Sequence, residues 1–454
     1  MSRIHLPALG VAVALALGLL PSPPASAKRM AAPAPFFPFH VHQRQLGNGL
    51  TAIVVPVPGS GLASVRTIIR TGSRDEYEPG RSGFAHFFEH MMFRGTKRFP
   101  ADERERVVTS MGASANAYTS SDMTVYEFDI AAEDLEQVMD LEADRFMNLA
   151  YSQEQFQTEA GAVYGEYRKN RASPFFQLFE KVAETAFTKH TYGHTTMGYE
   201  RDIAAMPKMM EYSKAFFGRY YRPENALLLI VGDVDPGTTL AMVDKYWAAW
   251  KRGYVAPKVP VEPAQTAERK VDIAYEGRAL PVLTLAYKAG AFAPRDVRWV
   301  SHLVLAEVAF GATSELYKSL VLDKQLVQRV MANPATDRDP SLFAVSAVVN
   351  DPAKLDEVKQ ALEDTIAKAK TTPADARRVA EVAANMRNDF LLKLTTPSAV
   401  ADELAPLLAI AGSMRAIEDL YTTLGKVTPE TVRAAANQLF DARRRTVAIL
   451  REKK

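Results

Sequence analysis

Cysteine is absent from the chain, and its absence excludes three kinds of protein. With no cysteine among 454 residues, the fold cannot depend on disulfides, catalysis cannot use a thiol, and no amino-terminal cysteine can carry a lipid. Any metal must be bound by His, Asp or Glu. An oxidising compartment, where a free thiol is a liability, fits this composition without being required by it.

An excess of positive charge is also lacking. Lys and Arg total 55 against 53 Asp and Glu, and no long basic block stands out that would follow a phosphate backbone. A short run such as Arg443-Arg444-Arg445 is interpreted as solvated surface. We therefore expect no nucleic-acid partner.

Long apolar runs are lacking after the first residues of the chain. Arg3 precedes the apolar stretch Leu9–Leu20, which prolines end before Ala25-Ser26-Ala27, a cleavage pattern of the A-x-A type. We interpret residues 1–27 as a signal peptide rather than a membrane anchor, because a spanning helix needs about 20 apolar residues. The mature chain should have no membrane anchor. We expect export across a bacterial inner membrane into the periplasm, with the extracellular medium as the alternative.

Length and composition predict more than one domain. A chain of 454 residues with 47% hydrophobic content exceeds what one core usually organises. Residues 28–39 are rich in Ala and Pro, which predicts an irregular lead-in, and the proline-rich, aperiodic residues 251–268 predict a linker. The first domain should then span residues 40–250 and the second residues 269–454.

The two domains share an order of predicted elements. Periodicity in the first predicts strands and helices at Leu50–Pro56, Ser64–Thr71, Gly83–Arg94, Ala101–Ser110, Met123–Ile130, Glu133–Asn148, Ser152–Asn170, Met206–Tyr220 and Ala226–Val231. The second predicts elements at Val271–Tyr275, Pro281–Tyr287, Val297–Phe310, Val427–Phe440 and Thr446–Leu450. A duplicated α/β unit explains the shared order, and coincidence is the alternative. The predicted fold class is α+β, with two homologous α/β domains that each contain a mostly antiparallel sheet packed with helices.

The stretch Gly83–Arg94, GFAHFFEHMMFR, has the composition of a metal-binding helix. Residues four apart on a helix lie one turn above each other, so His86 and His90 can bind one ion from the same face. Glu89 shares that face and is placed to take a proton from a water that zinc has acidified. Plain surface residues are the alternative, but the apolar helix around them favours a site.

Two histidines leave a catalytic zinc one protein ligand short. Glu159 and Glu166 lie seven apart on the predicted helix Ser152–Asn170, hence on one face. One of them can bind the metal while the other holds a ligating histidine in place, and the spacing does not decide which. His190 and His194 are predicted to be loop residues.

The sequence resembles the pitrilysin or inverzincin family, in a subgroup similar to mitochondrial processing peptidase and its bacterial two-chain relatives. The motifs that carry the resemblance are GNGLTAIVVP, GFAHFFEHMMFRGT, GASANAYTSSDMTVYEF, EAGAVYGEYRKN and YYRPENALLLIVGDVDP. The resemblance implies one Zn²⁺ per chain with His86, His90 and Glu166 as ligands, Glu89 as general base and Glu159 as the supporting acid. The second domain would have no metal site.

The same resemblance suggests how a peptide is held. In such peptidases an extended peptide adds to the sheet edge beside the zinc. The segment formed by Asn116, Ala117, Tyr118 and Thr119 resembles that edge, and the Asn116 amide is expected nearest the scissile bond. An ordinary turn asparagine is the alternative for Asn116.

The second domain departs from the family pattern. Family members that act alone carry an Arg and a Tyr seven apart that reach the substrate carbonyl, and here Val321 and Gln328 take those positions. Alignment also places His302, Leu305 and Ala306 at the positions of the zinc-binding motif, so the second domain cannot supply a zinc site. The chain is therefore predicted to be half of a clamshell, completed by a homologous chain that lacks HxxEH but carries the Arg and Tyr.

The predicted function is that of an exported zinc metalloendopeptidase subunit acting on short or unfolded peptides. A non-catalytic assembly or scaffold subunit is the first alternative, although such a subunit has no need to keep His86, Glu89, His90 and Glu166 together. A zinc hydrolase that acts on bonds other than peptides is the second.

Overall fold

Two β-sheets, one in each half of the chain, form the framework of the structure. The computed structural model describes residues 35–453, and the predicted signal peptide lies outside them. The strands of the first sheet are β1 His42–Gln45, β2 Thr51–Pro56, β3 Leu62–Ile69, β4 Ser114–Thr119, β5 Thr124–Ala131 and β6 Ala226–Gly232. Those of the second are β7 Arg269–Tyr275, β8 Val282–Lys288, β9 Val327–Asn333, β10 Leu342–Val349 and β11 Arg445–Glu452.

The two sheets have the same strand order once β1 is set aside. The first runs β1-β2-β6-β3-β5-β4 and the second β7-β11-β8-β10-β9. Each contains one parallel pair, β2 with β6 and β7 with β11, and the other neighbours pair antiparallel. The predicted fold class, two homologous domains with mostly antiparallel sheets and packed helices, is confirmed.

Helices cover both sheets. The helices of the first half are α1 Phe84–Met91, α2 Ala101–Ser110, α3 Leu135–Asn148, α4 Gln153–Arg171, α5 Pro174–Ala186, α6 Glu200–Ala205, α7 Met210–Tyr220 and α8 Pro236–Trp247. Those of the second are α9 Val297–Phe310, α10 Glu315–Tyr317, α11 Leu355–Thr371, α12 Ala376–Lys393, α13 Pro397–Ala411, α14 Arg415–Leu424 and α15 Pro429–Leu439. None of the helices in the described part of the chain is long and apolar enough to cross a membrane.

The first sheet is buried on both faces. Side chains alternate along a strand, so Ala52 and Val54 of β2 join the core formed with α1, α3 and α4. Ile53 and Val55 join a separate core on the opposite face. Leu404 of α13 belongs to that second core, although α13 comes from the other half of the chain.

The second sheet receives a helix from the first half in return. Leu178 and Val182 of α5 pack against Ile273, Ala448 and Leu450 of the second sheet. Each half therefore covers one sheet face of the other, and the chain from Phe36 onward forms one compact unit. The domain boundaries at residues 40–250 and 269–454 therefore remain a prediction. Each half needs a helix from the other half to bury its sheet.

Ion pairs reinforce the exchanged contacts. Arg66 of β3 is almost fully buried, and its guanidinium donates to Asp129 at 3.1 Å and to Asp402 of α13 at 2.9 Å. Asp339, between β9 and β10, accepts hydrogen bonds from Arg74 at 2.7 Å and His190 at 3.0 Å. Both networks join residues from different halves of the chain.

The predicted lead-in and linker contain no helix or strand within the described residues, but both are anchored. The N–H groups of Phe36 and Phe37 each donate to the Glu418 carboxylate at 2.9 Å. In the linker, the Glu262 carboxylate accepts backbone hydrogen bonds from residues 188–190. The linker is thus fixed to the first half rather than free.

The exchange of helices predicts that a truncation in α13 weakens the whole molecule. Leu404→Ala removes a fully buried side chain and should lower the free energy of unfolding by about 2–5 kcal/mol. Leu392→Ala, at a side chain that is 73% exposed, is the matched control and should change it by less than about 0.5 kcal/mol. Urea unfolding followed by circular dichroism measures both. Equal stability of the two variants would contradict the role assigned to α13.

Candidate active site

Helix α1 divides its side chains between a buried apolar side and a polar side. Phe84, Phe87, Phe88 and Met91 are completely buried in the first core. Phe88 stacks on Phe216 of α7 with ring centroids 5.5 Å apart. This packing fixes the helix, so the histidines and Glu89 that it carries have defined positions.

The start of α1 is held by Glu76. The N–H groups of Gly83 and Ala85 donate to its two carboxylate oxygens, each at 2.7 Å. Gly83 has φ +92°, and a Cβ there would lie 2.8 Å from the carbonyl oxygen of Met197, so a side chain at this position would be strained. Burial raises the pKa of Glu76 to about 8.

The side chains of His86, His90 and Glu166 converge in an arrangement that could hold a metal ion. One donor atom from each lies within 4.8 Å of the others. The Glu166 Oε2 atom is 3.7 Å from His86 Nε2 and 3.3 Å from His90 Nε2. Ligands at ordinary zinc bond lengths and tetrahedral angles stand about 3.4 Å apart. The three residues therefore fit a zinc ion, and within residues 35–453 no other group of three His, Asp or Glu donors has this geometry.

The two glutamates of α4 have different partners. Glu159 is buried, and its Oε1 accepts a hydrogen bond from His90 Nδ1 at 3.0 Å. Arg94 donates to the other oxygen. The bond to Nδ1 leaves His90 Nε2 directed at Glu166, as a supporting carboxylate does for a ligating histidine. Glu159 therefore contacts the Nδ1 side of His90, and Glu166 faces the Nε2 side.

The two histidines of the cluster differ in their electrostatics. Burial and the neighbouring His90 lower the pKa of His86 to about 4, so its imidazole is neutral and has a free lone pair. Burial is the largest single influence at His90 and Glu159 and opposes charge on both. Their mutual hydrogen bond and the opposite charges around them together outweigh burial, so the pKa of His90 is raised and, with Arg94 contributing, the pKa of Glu159 is lowered.

Glu89 lies beside the ligands without belonging to the set. Its Oε2 accepts a hydrogen bond from Thr119 Oγ1 at 2.5 Å. Burial raises the pKa of Glu89 above its ordinary value, and the bond from Thr119 opposes the rise. A carboxylate in this position is equipped to move a proton rather than to bind metal.

A cavity of about 360 Å³ opens beside Glu89. It is lined by Glu89, His90, Phe93, Arg94, Asn116, Ala117 and Glu159. Among the described strands, β4 pairs only with β5 and ends the sheet, so its outer backbone groups are available to a peptide. Asn116 and Ala117 line the cavity, whereas the Tyr118 side chain packs into the core on the α13 side.

The second half lacks the metal set at the matching place. His302, Leu305 and Ala306 of α9 are all buried, and burial lowers the pKa of His302 to about 4. Val321 packs partly into the second core, and Gln328 is exposed on β9.

Four further residues of the first half complete the comparison between the sequence-based predictions and the structure. His190 pairs with Asp339, and His194 lies 3.8 Å from Glu76, so neither belongs to the metal set. Sequence reasoning did not single out Arg94 or Glu76. Arg94 follows His90 by four residues, a spacing that signals a shared helix face, but nothing in the spacing of Glu76 indicates its role.

Family profiles and relatives agree with this architecture. The profile described as Insulinase (Peptidase family M16) matches residues 57–200, and that of the Peptidase M16 inactive domain matches residues 210–386. The chain is similar to the zinc protease PqqE of Helicobacter pylori, at 27% identity over 89% of this chain and 91% of that protein. It is also similar to the probable mitochondrial-processing peptidase subunit beta of Schizosaccharomyces pombe, at 23% identity over 87% of this chain and 88% of that protein.

Solved structures share the fold. A crystal structure of a protease from Helicobacter pylori matches with a TM-score of 0.85 at 26% identity, over 91% of this chain and 99% of that one. The periplasmic protease PqqL of Escherichia coli matches with a TM-score of 0.72 at 18% identity, over 91% of this chain but 48% of that one. With two consecutive family profiles matched and the same two-domain fold in these structures, the chain belongs to peptidase family M16.

Proposed function

We propose that this chain is the zinc-bearing subunit of an exported metalloendopeptidase that hydrolyses short or unfolded peptides. The observation that carries the proposal is the convergence of His86, His90 and Glu166 with Glu89 beside them. The similarity to a zinc protease supports the same reaction class. The natural alternative within the family is a non-catalytic assembly subunit, which has no use for this convergence.

The residues divide the work of hydrolysis. A bound Zn²⁺ would supply Lewis acidity, which polarises the scissile carbonyl and lowers the pKa of a water to about 7. Glu89 accepts a proton from the attacking water as the water oxygen bonds to the carbonyl carbon. It then gives that proton to the amine nitrogen as the C–N bond breaks. Glu159 keeps His90 in its orientation through both steps.

The edge strand is the proposed docking place for the substrate. An extended peptide that pairs with β4 would lie along Asn116 and Ala117, beside the cavity that Glu89 lines. Backbone pairing tolerates many side chains, which suits a peptidase for short or unfolded peptides. Tyr118 contributes to this edge through its backbone, since its side chain packs in the core.

A homologous partner is proposed because the second half lacks, at the aligned positions, the Arg and Tyr that would act as oxyanion donors. Val321 and Gln328 stand where self-sufficient members carry Arg and Tyr, and removal of one such donor typically costs about 100- to 1000-fold in rate. A relative from Schizosaccharomyces pombe is named as a subunit. The matched fold takes up about half of the length of PqqL, so the PqqL chain is long enough to contain a second unit of the same size.

Export to the periplasm is proposed from the predicted signal peptide at residues 1–27. The similarity in fold to the periplasmic PqqL agrees with this location. The absence of cysteine from the chain suits an oxidising compartment.

Removal of the base should separate metal binding from catalysis. Glu89→Gln removes the proton acceptor but no metal ligand, so the variant should keep its zinc while kcat falls by about 100- to 10,000-fold. Zinc content by atomic absorption and cleavage of a peptide pool measure the two effects. Glu166→Gln is the comparison variant and should lose zinc itself. A Glu89→Gln variant that still cleaves peptides would remove Glu89 from the mechanism.

Removal of the supporting acid should weaken zinc binding without abolishing it. Glu159→Gln takes away the carboxylate that orients His90, and loss of such a partner typically lowers metal affinity by about 10- to 100-fold. Competition with a fluorescent chelator measures the affinity. Glu154→Gln, at an exposed position on the same helix, is the control and should bind zinc as the unaltered protein does. Unchanged affinity in Glu159→Gln would contradict the role of Glu159.

The partner proposal predicts low activity for the isolated mature chain. Alone it should bind one zinc yet cleave peptides about 100- to 1000-fold more slowly than in the presence of a homologous chain that carries the Arg and Tyr. Measurement of kcat/KM with and without that chain decides the question. Full activity of the isolated chain would eliminate the partner requirement. A zinc-loaded pair that cleaves no peptide would favour the assembly subunit.

A further inference from the structure

Thr119 joins two parts of the site, the edge strand β4 and the base Glu89. It is the last residue of β4, and its Oγ1 donates to Glu89 Oε2 at 2.5 Å. That distance is at the short end of the range for a hydroxyl that donates to a carboxylate. We propose that Thr119 is a positioning residue, which holds the Glu89 carboxylate in its working orientation from the end of the substrate-binding strand. The inference rests on the proposed function.

The position of the Thr119 hydroxyl is set by the sheet. Thr119 pairs with Thr124 of β5, and the turn after it is closed by the Ser120 N–H, which donates to the Met123 carbonyl at 2.8 Å. The Thr124 hydroxyl in turn donates to the carbonyl of Thr71 at 3.0 Å. Because a β-branched side chain has few rotamers, the hydroxyl of Thr119 is a fixed donor.

The Glu89 carboxylate, by contrast, has few other contacts that fix its orientation. The packing of α1 fixes the backbone of Glu89, but several rotatable bonds lie between that backbone and the carboxylate. Within residues 35–453 no other hydrogen bond to this carboxylate accompanies the one from Thr119. One oxygen is therefore held, and the other is left to meet a water in the cavity that Glu89 lines. A general base must be within hydrogen-bond reach of its proton in a defined geometry.

The same arrangement separates substrate binding from base orientation. Alternation along β4 places the Thr119 and Ala117 side chains on one face of the strand, where Thr119 meets α1. A peptide that pairs with the edge uses the backbone of β4 and leaves the Thr119 hydroxyl bound to Glu89. Loss of the hydroxyl should consequently change kcat and leave KM and zinc affinity unaltered.

The chain offers a matched set of variants. Thr119→Val removes the hydroxyl and keeps the shape, and Thr119→Ser keeps the hydroxyl. Thr67→Val, on β3 of the same sheet, is the control, because the buried Thr67 hydroxyl has no hydrogen-bond partner among the described residues. Each protein is prepared in full mature form, with its partner chain where activity requires one. The measurements are kcat and KM, zinc affinity, and crystal structures of the zinc-loaded proteins, which show the Glu89 conformer directly.

We expect kcat of Thr119→Val to fall by about 10- to 100-fold, the usual worth of a hydrogen bond to a charged group, at unchanged KM and zinc affinity. Thr119→Ser should restore most of kcat, and Thr67→Val should leave it unaltered. The Glu89 side chain should leave its position in Thr119→Val and keep it in Thr119→Ser. An unmoved Glu89, an unchanged kcat, or a serine variant as slow as the valine variant would overturn the role of Thr119. If the unaltered protein cleaves no peptide, the proposed function fails, and the Glu89 conformers still decide on Thr119.

Discussion

Strands β2, β3 and β6 carry apolar side chains on both faces, and these leave water only if two layers of helices cover the sheet. The first half supplies one layer, and α13 from the second half supplies the other. The second sheet has the same need, which α5 meets from the first half. The first half, which contains the candidate metal site, therefore depends on the second half, and loss of either exchanged helix would expose one face of a sheet.

This constraint explains how a strongly polar site can stand in an apolar domain. The aromatic side of α1 is buried completely, so the helix cannot rotate to bring its histidines closer to water. Desolvation lowers the pKa of His86 and disfavours charge throughout the cluster. Three carboxylates in or near the cluster each have a specific contact: Glu76 accepts from the start of the helix, Glu159 accepts from His90, and Thr119 donates to Glu89.

Sequence patterns predicted much of the first half because they are local. The period of α1, the serine that caps α4 and the fully buried strand β6 are visible in short windows. The exchange of α5 and α13 is not local: periodicity shows that a helix has an apolar side but not which sheet covers it. For the same reason the spacing of Glu159 and Glu166 left their roles open, since the partners of each are set by the packing of α4 against α1. Tyr118 was expected at the substrate edge, and the pleat of β4 turns its side chain into the opposite core.

The two sheets share a strand order, but the two halves carry different residues on the matching helices α1 and α9. Helix α9 occupies in the second half the place that α1 occupies in the first. Its residues Leu305 and Ala306 are buried and stand at the positions of Glu89 and His90. A buried carboxylate and imidazole are costly unless they are paired, whereas the buried Leu305 and Ala306 need no polar partner. The fold then serves the second half as a cover for the first, through α13 and the Arg66–Asp402 pair. Val321 and Gln328 stand where Arg and Tyr are expected from the family resemblance, and among the described residues the second half brings no group of three metal donors together. The contribution of the second half that the structure shows is therefore structural, because α13 and Asp402 hold the covered face of the first sheet.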